Sequence, residues 1–472
     1  MRRMWTGALL GTALFAAGCA TNPVTGRTEL ALISESQEIA MGQQAAAEVE
    51  ASIGVVDDAE LNAYVQRVGE SLARISERPD LPWRFRVVDD PTPNAFALPG
   101  GFIYITRGML SLMENEAELA GVLGHEIGHV TARHSVQMIS RQQLAQIGLI
   151  AGMILVPEIA RFGDLAGSGL QLLFLSYSRD AERQADDLGF RYSLEQNYDV
   201  REMPDIFASL ARASELAGQS ALPSWLSSHP GPQERIERLS AMLAELPSAQ
   251  RIVESGNYYQ QIDGLVYGAN PRHGFFRGTT FLHPELRFRL DFPQGFRLAN
   301  LTSAVQALSE RQDAAIQLTF AQGSAAQAAN AFRQEQGIRT GQARTERINN
   351  FPAVIVPFEA QTQGGAVAGY AAYIEDGQRT YQILAYSAAQ NIRAYESALL
   401  ATIGSYQRVT DPEVLNAQPD RIDAVRLSSA MTFDEFLRRY PSSISTDEAA
   451  LINQVTNLSE RMPSGAWLKR VQ

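Results

Sequence analysis

Apolar positions recur at helical spacing from about Gln37 to Leu72, with Leu61, Tyr64, Val65 and Val68 on one stripe, and predict a helical lead-in. Pro91, Pro93, Pro99, Gly100 and Gly101 then punctuate the chain, and the apolar runs Phe96 to Leu98 and Phe102 to Ile105 between them predict short strands. Helical spacing returns at Asn115, an N-cap residue that Glu118 answers three positions later as a capping box. From Gln142 to Pro157 the chain carries no charge, but the stretch is too short for the roughly 20 residues of a membrane span and predicts a buried or interfacial hairpin. Helices from about Ser178 to Glu195 and from Pro232 to Leu246 follow, the second opening on a proline at a tolerated N-terminal position.

After about Gly256 the period changes from helical to alternating. Leu286, Phe288, Leu290 and Phe292 alternate with Arg287, Arg289 and Asp291, and Ile316, Leu318 and Phe320 repeat the half-buried strand pattern. Asp376-Gly377, between the runs Tyr370 to Ile374 and Tyr381 to Leu384, predicts a tight hairpin, and alanine-rich helices near Ala325 and Ala394 interrupt the strands. The tail reads as strand, helix, helix, strand at Val425 to Leu427, Thr432 to Arg439, Asp447 to Asn453 and Trp467 to Val471. The whole pattern predicts an α+β protein: a mostly helical domain with a small sheet at 19–250, an α+β accessory domain at 251–415 and a small βααβ module at 416–472. The tail resembles a LysM module, although Ala430-Met431-Thr432 stands where that family has a Gly-Asp-Thr turn. That resemblance implies contact with peptidoglycan, against the alternative of a generic capping module.

The 472 residues are 45% apolar and 19% charged, which fits a folded chain of two or three domains. A formal net charge of −12 without basic blocks excludes nucleic acid as a partner. Cys19 is the single cysteine, so no intramolecular disulfide forms. Its position matters more. Arg2 and Arg3, the uncharged run Trp5 to Ala17, and Ala16-Ala17-Gly18-Cys19 resemble a bacterial lipoprotein signal at 1–18 with its lipobox. The resemblance implies a lipidated Cys19, and Ala20 after it implies the periplasmic side of the outer membrane.

His125-Glu126-Ile127-Gly128-His129 lies in the capped helix, so the imidazoles at i and i+4 share a face and can grip one ion. Imidazole nitrogens suit Zn²⁺, and three protein ligands leave a position for water. Glu126, one position round, is placed to accept that water's proton. His134 is a poor third ligand, because nine residues at about 100° each place it half a turn from His125, and it reads as structural. Glu182 is the better candidate: with Asp186 it forms a second i, i+4 pair, matching a His₂Glu site in which an outer acid orients a ligand's free N–H.

Asn94 to Gly101, Glu118-Leu119-Ala120 leading into His125 to His129, Glu182 to Asp186, and His229-Pro230 followed by Arg235 occur in order. Together they resemble metallopeptidase family forty-eight, which includes HtpX and CAAX prenyl protease types and BepA-like periplasmic lipoproteins. The match covers roughly 22–246. It implies a gluzincin-type protease domain holding one zinc ion, and an edge strand at Ala95, Phe96 and Ala97 that pairs with extended substrate. It also implies that His229 and Arg235 approach the metal cleft, His229 either assisting catalysis or ligating zinc in a latent state, and Arg235 stabilising the oxyanion. The substrates expected are unfolded or misassembled cell-envelope proteins. A non-proteolytic assembly factor and a cell-wall-binding lipoprotein are the rival readings.

Overall fold

The computed structural model describes residues 19–141, 176–217, 225–301, 304–362 and 365–472. The signal at 1–18 and the apolar stretch at 142–157 lie outside the described residues. Among the described residues no helix is long and apolar enough to cross a membrane. The chain divides into two units, Met1–Gly268 with Asp420–Gln472, and Ala269–Pro419.

In the first unit, helices α1 (Glu35–Ser52) and α2 (Ala59–Ala73) precede a three-stranded sheet of β1 (Arg84–Val88), β2 (Ala95–Leu98) and β3 (Phe102–Thr106). The sheet order is β1-β3-β2, with β1 parallel and β2 antiparallel to β3, so β2 is an edge. The stripe Leu61, Tyr64, Val65, Val68 and Leu72 of α2 is fully buried against the sheet and the helices beyond it. Removing each such side chain from water stabilises the fold by about 1.5–3 kcal/mol. Strand β2 is buried on both faces: Ala95 and Ala97 join this core, while Phe96 and Leu98 pack with Ala45, Ala46 and Val49 of α1.

Next come α3 (Arg107–Leu112) and α4 (Glu116–Thr131), the helix that carries the two motif histidines. Asn115 caps α4 by accepting from the Glu118 N–H at 2.9 Å. The Glu118 carboxylate reaches one residue further back than the capping box predicts, accepting from the Glu114 N–H at 2.8 Å. Helix α5 (Arg179–Glu195), capped by Ser178, packs along α4. The two backbones approach through glycine: a Cβ on Gly189 would stand 2.7 Å from the His125 nitrogen. Helices α6 (Met203–Ala217), α7 (Trp225–Ser228), α8 (Pro232–Ala244) and α9 (Ser255–Ile262) complete this part of the unit.

The second unit is built on an eight-stranded antiparallel sheet. Its strands are β4 (Phe296–Leu301), β5 (Ala304–Ser309), β6 (Ala314–Ala321), β7 (Ile338–Thr340), β8 (Arg344–Ile348), β9 (Phe351–Thr362), β10 (Gly365–Asp376) and β11 (Arg379–Ala388). The order is β7-β9-β10-β11-β6-β5-β4, with β8 also on β9. A second sheet of four short strands, at Phe275–Arg277, Thr280–His283, Phe288–Asp291 and Gln407–Arg408, accompanies it. Side chains alternate between two clusters. Ala353, Ile355, Ala372, Ile374 and Ile383 face Leu399 and Ile403 of α11 (Ile392–Gly404), and Val354, Val356, Ala371 and Tyr373 face Ala328 and Phe332 of α10 (Ala325–Arg333). The predicted hairpin is present with its two-residue loop one position later, at Gly377-Gln378. Asp376 pairs with Arg379, and Gly377 supplies the positive φ of 66° that the turn requires.

The tail forms β12 (Ile422–Arg426), α12 (Phe433–Arg439), α13 (Thr446–Ile452) and β13 (Trp467–Val471), with β12 antiparallel to β13. Phe433, Phe436, Ala449 and Leu468 make a small core of its own. Ile422, Leu451, Ile452 and Val471 belong to the main core of the first unit. The second unit is therefore an insertion whose two ends meet, with the Tyr267 N–H donating to the Asp420 carbonyl at 2.8 Å and the Ile422 N–H to the Leu265 carbonyl at 2.9 Å.

Candidate metal centre

Helix α4 presents His125 and His129, α5 presents Glu182, and the segment after α7 brings in His229. One ligand atom from each of the four lies within 4.8 Å of all the others, and all four residues are buried. The His125 and His129 Nε2 atoms are 3.0 Å apart. His229 Nδ1 lies 3.2 Å from His125 Nε2 and 3.1 Å from Glu182 Oε1. Glu182 Oε2 is 3.6 Å from His125 Nε2, and its Oε1 is 3.4 Å from His129 Nε2.

Hydrogen bonds on the far side of each ring say which nitrogen is free. His125 Nδ1 lies 2.9 Å from Asp186 Oδ1 and 3.1 Å from Arg235 Nη2; the guanidinium spends its hydrogen on that same Asp186 oxygen at 2.6 Å, and a carboxylate only accepts, so the proton sits on Nδ1 and the Nε2 lone pair faces the cluster. His129 Nδ1 lies 2.9 Å from His134 Nδ1, and His134 Nε2 is 3.0 Å from the Gln184 carbonyl oxygen. With that oxygen accepting, His134 carries its proton on Nε2 and accepts on Nδ1. His129 must then donate from Nδ1 and turn its own Nε2 lone pair inward. Burial pushes His129 well below the ordinary histidine range and lowers His134 as well, which favours the neutral form of both. Two inward lone pairs 3.0 Å apart beside a carboxylate repel one another unless a cation lies between them. This nitrogen and carboxylate donor set fits one zinc ion.

The acids are held ionised. Burial opposes it, but the His229 imidazole 3.1 Å away drives Glu182 far below the usual carboxylate range. Burial also opposes ionisation of Asp186, yet the Arg235 guanidinium and the His125 bond hold it down to about 2. Arg235 donates to both Asp186 oxygens, at 2.8 and 2.6 Å, pairs with Glu182 at 3.2 Å, and is flanked by the Phe207 and Trp225 rings 4.3 and 4.4 Å from its carbon. Its position follows from His229-Pro230-Gly231-Pro232. Gly231 at φ 82° turns the chain, and Pro232 opens α8 one turn before Arg235.

Glu126 is fully buried. One oxygen accepts from the Trp225 indole at 3.4 Å and the other has no hydrogen-bond partner, an orphan acceptor beside the cluster. Strand β2 offers its edge. The Thr106 N–H donates to the Asn94 carbonyl, so by antiparallel alternation Asn94 and Phe96 bond β3 while Ala95 and Ala97 turn their N–H and C=O groups to the side that no strand among the described residues pairs with. Phe96 instead stacks on Tyr104 with ring centroids 5.3 Å apart.

Three contributors, Trp225, Tyr177 and Gln184, escape sequence reasoning, as does the part His134 plays. Trp225 stacks on His229 at 4.6 Å and its backbone N–H donates to the Pro93 carbonyl; Tyr177 stacks on His129 at 4.0 Å. His134 and Gln184 fix the His129 tautomer, a relay that no spacing rule signals. For Trp225, the only signal is an aromatic four positions before His229.

Residues 59–243 match Peptidase family M48. The chain is 30% identical over 223 residues to the beta-barrel assembly-enhancing protease of Yersinia pestis, covering 45% of each chain. It is 30% identical over 241 residues to the mitochondrial metalloendopeptidase OMA1 of Danio rerio, covering 48% of this chain and 50% of that one. The mitochondrial metalloendopeptidase OMA1 of Schizosaccharomyces pombe is 29% identical, covering 51% of this chain and 70% of its own. The chain thus spans about half the length of the first two relatives. Residues 59–243, the stretch similar to peptidase family M48, hold all four residues of the cluster and Glu126.

Proposed function

We propose that the protein is a zinc metalloendopeptidase that cuts unfolded or misassembled cell-envelope proteins. The observation that carries this reading is the unpartnered Glu126 oxygen beside three inward-facing ligands. His125, His129 and Glu182 would hold the zinc, which when bound would supply Lewis acidity that lowers the pKa of water to about 7. Glu126 would accept a proton from the attacking water and later give it to the leaving amine nitrogen. The Trp225 indole holds the carboxylate in place for both transfers. Ala95 and Ala97 align an extended substrate through backbone hydrogen bonds, which supports tolerance of many sequences.

His229 sits inside the ligand set, which supports the latent-state role: its Nδ1, here donating to Glu182, lies 3.2 Å from His125 Nε2, where it would serve as a fourth ligand once deprotonated, and opening the site would require it to withdraw. The two bonds from Arg235 to Asp186 support a role in orienting His125 and Glu182 in place of the expected contact with an oxyanion. Substrates in the envelope follow from the lipobox at Cys19, with lipid anchoring on the periplasmic side of the outer membrane and peptidoglycan contact through the tail as parts of the same reading. The likeness to a beta-barrel assembly-enhancing protease supports that setting.

Cleavage of casein, with and without a chelator, tests the reading. Glu126→Gln is expected to keep its zinc and lose activity by about 10²–10⁴-fold, and His229→Ala to cleave faster than the parent. Full activity in Glu126→Gln would remove Glu126 as the base.

A further inference from the structure

Helix α4 is joined to α3 through Met113, Glu114 and Asn115 alone, and the last carbonyls of a helix have no partner within it. At this corner the partners come from the far end of the sequence. Lys469, with 0% of its surface exposed, donates its ammonium to the Ser111 carbonyl at 3.0 Å and the Met113 carbonyl at 2.6 Å, with a Glu114 oxygen 3.6 Å away. Gln454 donates to the Leu112 carbonyl at 3.0 Å and to both Glu118 oxygens at 2.9 and 3.0 Å. The two are locked together, because Asn453 accepts from the Lys469 N–H at 2.6 Å and donates to its carbonyl at 2.8 Å. A buried ammonium is costly unless its donors are used, and here they complete the end of α3 while Gln454 reaches across to Glu118 at the start of α4.

We propose that Lys469 and Gln454 of the tail module are positioning residues for the helix that carries His125, Glu126 and His129. The proposal rests on reading the site as catalytic. From Asn115 to His125 helix α4 runs ten residues, or about 15 Å, so a tilt of roughly 4° at the corner displaces the histidines and Glu126 by about 1 Å. An error of that size in a reacting group costs about 10²-fold in rate. The tail, separated in sequence by the inserted unit, thereby sets the aim of the general base. It does so without touching the ligands, so its loss acts on turnover before it acts on metal occupancy.

The test uses the full chain with Gln454→Met and Lys469→Met, reading kcat and KM per bound zinc and the visible absorption of the cobalt(II)-loaded protein. The expected result for Gln454→Met is a kcat at least about tenfold lower, KM within about twofold of the parent, full metal occupancy and a displaced cobalt spectrum. A purely structural role lowers the melting temperature and leaves kcat per bound metal and the spectrum at parental values, and that result overturns the proposal. If Lys469→Met does not fold, Gln454→Met decides alone. If the parent itself cleaves nothing, the protease reading fails while the cobalt spectrum still decides positioning.

Discussion

At the level of single residues, what each histidine does here is set by the group behind it. Asp186 behind His125 and the His134–Gln184 pair behind His129 fix protons on the outer nitrogens and leave the inner ones as ligands. His283, in the second unit, shows the same logic without a metal. Its Nδ1 accepts from the Leu286 N–H at 3.2 Å, and burial, with His273 and Arg379 adding to it, pushes the imidazole down to about 4. The folded pKa is below the unfolded value of about 6.5, so the unfolded chain binds more protons in between. This stability is present above about pH 6.5 and is lost as the pH falls toward 4, by about 3 kcal/mol. Urea unfolding of the second unit at pH 7 and 4.5 measures it; His283→Asn should show a smaller loss on acidification, and an equal loss in both proteins would contradict the assignment. The histidine pair at i and i+4 was legible because a helix of known pitch fixes its geometry, and Glu182 because a second such pair lies in the next capped helix. His229 and Arg235 were legible only through family resemblance, since a loop and a helix start carry no periodic signal.

Among the elements, the metal centre depends on how closely α4 and α5 approach. Gly189 of α5 lies where a Cβ would stand 2.7 Å from the His125 nitrogen and 3.1 Å from the Gly124 carbonyl carbon, both backbone atoms that cannot move without the helix. Gly189→Ala must therefore push the helices apart, and overpacking of this kind costs about 1–3 kcal/mol. Because Glu182 and the histidines sit on opposite sides of that contact, zinc affinity should fall by about tenfold or more, as competition with a chromogenic chelator would read. Unchanged affinity would mean that the glycine contact does not set the ligand spacing. The helices themselves were legible from Asn115, Ser178 and Pro232 at their starts. Their crossing was not, because a glycine's reason lies in the partner helix.

Across the whole molecule, the chain leaves the first unit at Gly268 and re-enters it at Asp420. The paired backbone at Leu265, Tyr267, Asp420 and Ile422 closes the gap, so replacing Ala269–Pro419 by a short Gly-Ser linker should leave the first unit folded with its zinc. Loss of zinc in that shortened chain would show that the insertion is needed to build the site. The alternation of Leu286 to Phe292 made the strand-rich unit legible, and four short patterns did the same for the tail. That the tail completes the core of a domain the chain left at Gly268 was not legible, since Ile422, Leu451, Ile452 and Val471 look like any small module's interior. The most direct measurement of the central claim is zinc content by mass spectrometry of the parent and Glu182→Ala, each purified after limiting metal supply. The account predicts one zinc per parent chain and a value far below that in the variant; equal content in the two would contradict it.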